Sequence, residues 1–226
     1  MEQQNAPLHA IEFDFSKEFI RKGIHLCSLV IPVGYYFLPK SVVLELLLSL
    51  AVISILTDIA RFYNKGFSSF YYKVFHSILR EHEVLPKKKN FTGATYVVIS
   101  AVLCIVLFPK IIAITSFSIL IISDTASALF GRKFGKHKFK VGGMKKSWEG
   151  SIAFVLSAIA VIVLTPKISY VVSEYYYATL AAIGGAAAEV FSFDILDDNF
   201  AIPLVIGFML WGMYLIFLPE LQINSY

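Results

Sequence analysis

Residues 111–130 read IIAITSFSILIISDTASALF, and residues 131–151 continue as GRKFGKHKFKVGGMKKSWEGS. The first stretch is apolar over about 20 residues, the length a helix needs to cross the hydrocarbon core of a bilayer. Its only ionisable residue is Asp124, about two helical turns before its end. The second stretch is crowded with glycine and lysine. A membrane helix that ends in a polar, cationic segment is therefore the first element to place.

Working outward, six further stretches of this kind lie at 19–38, 42–60, 92–108, 151–164, 176–193 and 201–218, set apart by Pro, Gly or charge clusters. The composition agrees: 57% of residues are hydrophobic, 16% are charged, and the mean hydropathy is +0.70. Soluble chains are roughly 45–50% apolar and about 25% charged, so a soluble domain is excluded. The 20 Phe and the aliphatic runs exclude disorder. Only two cysteines, Cys27 and Cys104, occur, each inside an apolar run, which excludes a disulfide scaffold. The expected fold is all-α, a single-domain polytopic membrane bundle over residues 1–226 with about seven transmembrane helices. The first eighteen residues are polar and acidic, so no cleavable signal peptide is expected.

The charges give an expected topology. The joints after the first, third and fifth spans carry only Lys40, Lys110 and Lys167, and the other seventeen basic residues lie on the opposite side. By the positive-inside rule that side is cytoplasmic, so the N-terminus faces in and the C-terminus out. Three cytoplasmic joints result, at 61–91, 131–150 and 194–200. In the first, Phe67, Phe70, Tyr71, Val74, Phe75, Ile78 and Leu79 recur at helical spacing opposite Ser69, Lys73, His76, Ser77 and Arg80. That pattern is an amphipathic helix lying in the inner interface, before Pro86 and Lys87 to Lys89.

Charges inside spanning segments are costly and mark functional sites by default. Asp58, Arg61, Asp124 and Glu189 all fall near the cytoplasmic end of their spans. Asp58 and Arg61, three residues apart, also suit an internal ion pair. Asp124, Ala128, Gly131 and Gly135 form a stripe of small residues headed by a carboxylate, which suits either a close ligand or close helix packing. Between 131 and 146 stand four glycines and seven Lys or Arg. Such a segment suits a polyphosphate, with Gly131 and Gly135 admitting backbone N–H groups and Arg132, Lys133, Lys145 and Lys146 neutralising charge. It equally suits anionic lipid headgroups. Ser147 is positioned as the N-cap of a helix whose first turn is Trp148, Glu149 and Gly150, offering N–H donors to phosphate.

Glu149 sits among these cations as a candidate Mg²⁺ ligand or a partner of its own helix dipole. The acidic joint brings Asp197, Asp198 and Asn199 to the same face, as metal ligands beside Asp124 or as charge compensation. Near the first span, Glu18, Arg21, Lys22 and His25 follow one another so that Arg21 and His25 share a face. Lys22 and Arg21 read as snorkelling anchors, while His25 lies a turn deeper. No zinc motif is present, and no nucleic-acid partner is expected.

The run DTASALFGRKFG from Asp124, followed by KKSWEGS at 145–151, resembles the CTP-dependent membrane kinases of lipid alcohols. Dolichol, polyprenol and phytol kinases and the CTP-dependent diacylglycerol kinases form that group, with phosphatidate cytidylyltransferases as more distant kin. Arg21-Lys-x-x-His25, Leu79-Arg-x-His-Glu83, Thr92-Gly-Ala-Thr95, Glu189 and Asp197-Asp-Asn199 occur in the expected order, so the resemblance covers most of the chain. Ser123 departs from it, standing where the family often has Gly before the Asp. The resemblance implies CTP as phosphoryl donor, a divalent metal such as Mg²⁺, and a lipid monophosphate product. It also implies Asp124 and Asp198 as catalytic carboxylates, and Arg21, Lys22, His25, Arg80, Thr92, Glu189 and Asn199 as residues that hold substrate or support the site. A cytidylyltransferase making CDP-diacylglycerol and a small transporter are the alternatives, the second kept open by Gly184 and Gly185 in the sixth span.

Overall fold

A computed structural model describes residues 8–75, 90–141, 144–192 and 197–220. The chain is built from helices α1 (Leu8–Cys27), α2 (Val30–Phe37), α3 (Lys40–Tyr63), α4 (Lys65–Phe75), α5 (Gly93–Leu107) and α6 (Lys110–Phe134). A hairpin of β1 (Lys138–Val141) and β2 (Met144–Ser147) follows, and then α7 (Trp148–Leu164), α8 (Val172–Phe191) and α9 (Asp198–Phe217). Among the described residues, α3, α6 and α9 have the length and apolarity to cross a membrane, while α5 and α7 are apolar but shorter.

The first expected span is interrupted. Pro32 has no N–H to give to the carbonyl of Ser28, four residues back, and that carbonyl is taken instead by Ile31 N–H at 2.9 Å. The chain tightens at Ser28 and Leu29, and α1 and α2 are separate helices. The amphipathic helix of the first joint is present as α4; the remainder of that pattern, Ile78 to Arg80 included, lies outside the described residues.

The cationic loop is more ordered than its glycines suggest. β1 and β2 pair antiparallel, with Lys138 opposite Ser147, Phe139 opposite Lys146 and Lys140 opposite Lys145. The alternation of lysine with Phe139 and Val141, followed by Gly142-Gly143, is a hairpin signature in the sequence.

Helix α6 is the axis of the bundle. Of its apolar window 78% is buried, against 22% for α3 and 33% for α9. It packs most extensively on α7, and also on α9, α1 and α2. In a membrane such contacts depend on close van der Waals fit, which small residues permit. A Cβ on Gly150 would stand 3.0 Å from the Ser127 carbonyl and 3.3 Å from Gly131 Cα, so these glycines set the α6–α7 approach. Gly184 and Gly185 do the same between α8 and α9: a Cβ on Gly185 would meet Ile206 Cδ1 at 2.5 Å. They lie inside one unbroken helix, not at a break between half-helices. Gly207 of α9 accommodates the Phe108 ring in the same way.

At the end of the bundle away from Asp124, Lys167 closes α7 by donating to the carbonyls of Ile162 and Thr165, the latter at 2.7 Å. The fully buried Glu174 accepts from the N–H groups of Ile168, Ser169 and Val171 and from the Tyr214 hydroxyl at 2.8 Å. One carboxylate thereby holds the whole α7–α8 connector.

Candidate active site

The centre of the site is the contact between α1 and α6. Asp124 is 3% exposed, and its Oδ2 is ion-paired with Lys22 Nζ. His25 Nε2 stands 3.7 Å from the same oxygen. Two turns further along α6, Arg132 reaches Glu18 at 3.2 Å, and Glu18 also holds Arg21. Glu18, Lys22 and His25 follow steps of four and three, one face of a helix, and that face lies against α6. The sequence expectation is corrected here. Lys22, not Arg21, shares the inner face with His25, and Lys22 does not snorkel: its side chain is 4% exposed. A buried carboxylate needs a cation or hydrogen-bond donors at bonding distance, and Lys22 is the cation that α1 supplies. Glu18 is a site residue that the sequence reading did not assign; its i, i+4, i+7 relation to Lys22 and His25 was the available signal.

A second cluster joins α6, β2 and α8. Lys146 Nζ donates to Glu189 Oε1 at 2.6 Å, and Ser127 Oγ stands 3.4 Å from the same oxygen. Asp198 is close enough to act electrostatically on both His25 and Glu189, as Asp124 also does. Lys22, His25, Asp124, Glu189 and Asp198 therefore share one neighbourhood, with Lys146 at its edge.

Several predicted phosphate contacts have other occupations. Ser147 is the N-cap of α7, as its position implies, and its Oγ accepts from Gly150 N–H at 3.2 Å. Trp148 N–H donates to the His137 carbonyl at 3.1 Å, so two N–H groups of the α7 terminus are already used. Gly135 N–H closes α6 on the Gly131 carbonyl at 3.1 Å, and both glycines lie against Ser147. These glycines are accounted for by packing. The groups left to meet an anion at this face are side chains. Lys133 is exposed, with Nζ over the Phe134 ring. Lys145 is exposed on the hairpin directly opposite Lys140, two like charges that repel unless an anion lies between them.

The four proposed metal carboxylates are not gathered together. Glu149 accepts from His137 Nδ1 at 2.8 Å and from His137 N–H at 3.1 Å, because the hairpin brings His137 beside it. Its own backbone N–H and these His137 donors hold its carboxyl down at about 2. Asp197 is the N-cap of α9, accepting from the Asn199 N–H at 2.9 Å and from Asn199 Nδ2 at 2.7 Å, and Asp198 Oδ1 accepts from the same N–H at 3.0 Å. Asn199 is thus spent on the α9 cap. No group of three or more His, Cys, Asp or Glu is arranged as metal ligands among the described residues. Mg²⁺ needs one or two carboxylates when phosphates and water complete its shell. Asp197 and Asp198, adjacent at the start of α9, supply that number; Glu149 is turned toward His137.

Thr92 belongs to a separate, closed network. Asp58 Oδ2 accepts from Thr92 N–H at 2.8 Å and Thr95 Oγ1 at 2.7 Å, and Asp58 Oδ1 pairs with Arg61 at 3.1 Å. Arg61 also donates to the Asn90 carbonyl at 2.7 Å. The pair is internal, and it fixes the N-terminus of α5, where Thr92 is the cap. Arg80 lies outside the described residues.

No protein-family model and no solved structure matches the chain. A protein of Rickettsia prowazekii described as uncharacterized is 31% identical over 198 residues, 85% of this chain and 92% of that protein. The phytol kinase of Synechocystis is 35% identical over 95 residues, 41% of this chain and 40% of that protein. The CTP-dependent diacylglycerol kinase 1 of Schizosaccharomyces pombe is 31% identical over 164 residues, 68% of this chain and 73% of that protein. With kinship to kinases of this kind extending over two thirds of its length, and with membrane helices around a buried carboxylate, the chain belongs to the CTP-dependent lipid kinase family.

Proposed function

We propose that this lipid kinase transfers the γ-phosphate of CTP to the hydroxyl of a membrane lipid alcohol, namely a polyprenol or dolichol, phytol or diacylglycerol, at the cytoplasmic face. The observation that carries the reading is the position of Asp124. It is a buried carboxylate on the central helix, paired with Lys22 of α1 and electrostatically coupled to Glu189, the partner of Lys146 in the cationic hairpin. The names of two relatives support the kinase chemistry, and one of them supports CTP.

Phosphoryl transfer asks little covalent chemistry of a protein, and depends on positioning and charge stabilisation. Arg132, Lys145 and Lys146, with the other hairpin lysines, hold the triphosphate by side-chain charge. Lys22 pairs with the Asp124 carboxylate and holds it in place. The lipid hydroxyl donates its O–H to Asp124, its oxygen forms the new P–O bond to the γ-phosphorus, and the β–γ bridging P–O bond breaks with its electron pair leaving on CDP. The proton passes to Asp124 late in the transfer. Asp198 with Asp197 would hold Mg²⁺, which would supply charge neutralisation on the phosphate oxygens.

The test uses purified protein in lipid vesicles with Mg²⁺ and γ-labelled CTP or ATP, each with a polyprenol, phytol or diacylglycerol. Label from CTP in one lipid is the expected result. Asp124→Asn and Lys146→Ala, each folded by circular dichroism at the assay temperature, are expected to abolish it. Turnover near that of the wild type in both variants rejects this site. Label that reaches only pyrophosphate, with phosphatidate as acceptor, identifies a cytidylyltransferase instead.

A further inference from the structure

His25 Nε2 is buried and has no hydrogen-bond partner, in a side chain only 10% exposed. A buried polar atom without a partner is costly, and here it faces the reactive carboxylate. The two atoms are 3.7 Å apart, too far for a direct hydrogen bond. A hydroxyl oxygen standing about 2.8 Å from each closes a triangle on that base. One oxygen that donates to the carboxylate and accepts from the imidazole would thus satisfy both atoms.

We propose that His25 is the residue that binds the acceptor hydroxyl of the lipid, its Nε2–H donating to the hydroxyl oxygen while that hydroxyl donates to Asp124 Oδ2. The inference rests on the lipid-kinase reading and adds the identity of the hydroxyl subsite. Two hydrogen bonds fix the oxygen and leave it one lone pair, which faces the phosphorus. An imidazole donates from one nitrogen in its neutral form, so the role needs no change of protonation. Lys22 is engaged by the same carboxylate oxygen and fixes its position beside His25. The break of the first span at Ser28 and Leu29 lies one turn beyond His25, so the subsite stands in the last turns of α1, beside the exposed apolar side chains of Ile20, Ile24 and Leu26. A hydroxyl attached to a hydrocarbon chain reaches that depth without leaving the bilayer.

Steady-state kinetics in mixed vesicles tests this, using whichever of diacylglycerol, phytol or a polyprenol the wild type phosphorylates, with its concentration expressed as a mole fraction. His25→Leu is expected to raise KM for the lipid roughly ten-fold, the loss of about one hydrogen bond, with KM for CTP unchanged. His25→Gln, which restores an N–H donor, is expected to recover most of that loss. His25→Gln also serves if His25→Leu does not fold. Unchanged lipid KM in His25→Leu, an equal rise in both KM values, or no recovery in His25→Gln overturns the proposal while leaving the kinase reading intact. A wild type that labels no lipid overturns the kinase reading itself, and this inference with it.

Discussion

Removing the Lys22–Asp124 pair one charge at a time is the sharpest perturbation that the α1–α6 contact offers. Both side chains are 4% exposed. Lys22→Met leaves a carboxylate in a low-dielectric site without its cation, and Asp124→Asn leaves an ammonium there without its anion. Breaking a buried pair from one side costs about 3–5 kcal/mol. In a chain of this size each kcal/mol moves Tm by roughly 2–4 °C, so either variant should melt about 6–20 °C below the wild type. The double variant Lys22→Met/Asp124→Asn removes both charges and the desolvation cost of each. It is expected to melt above at least one of the singles, with a coupling energy of about 2 kcal/mol or more. Thermal unfolding in bicelles, followed by circular dichroism, provides the cycle. Singles within 2 °C of the wild type, or a double equal to the sum of the singles, would show that α1 does not deliver Lys22 to Asp124 and would remove the basis of the site.

Further expectations follow from other contacts. Asp58→Ala takes the acceptor from Thr92 and Thr95 and the counter-ion from Arg61; it should cost about 3–5 kcal/mol in the same melt, yet leave turnover per folded molecule close to the wild type. Gly207→Ala drives a methyl into the Phe108 ring and should cost about 1–3 kcal/mol by overpacking, and an unchanged melt would mean that α9 and the end of α5 are not in contact. Burial holds Lys167, in the α7–α8 connector, down at about 8 from its ordinary 10.5. The unfolded chain therefore binds more protons between those values, so stability should rise as pH climbs from about 8 to 10.5; Lys167→Met should flatten that rise, and an identical pH slope in variant and wild type would refute the assignment.

Periodicity and charge position make much of this protein legible in its sequence. A run such as 111–130 has the length and apolarity of a membrane helix, and in bilayer hydrocarbon a helix is what satisfies its backbone. Short-range spacing likewise makes Ser147 a cap, Asp58 a partner for Arg61, and Asp124 the acid that packing alone does not explain. Relations between helices are a different matter. Which face of α1 meets α6 depends on rotation about the helix axis, so Lys22 rather than Arg21 reaches Asp124, although the two are adjacent in sequence. The glycines at 131 and 135 look the same in sequence whether they admit phosphate or a neighbouring helix, and only the approach of α7 decides for packing. Glu149 is a free carboxylate until the hairpin sets His137 beside it. The sequence by itself determined a helical membrane bundle with a few charges in its spans; the tertiary structure decided which of those charges meet, because that depends on distances across the fold that no local spacing contains.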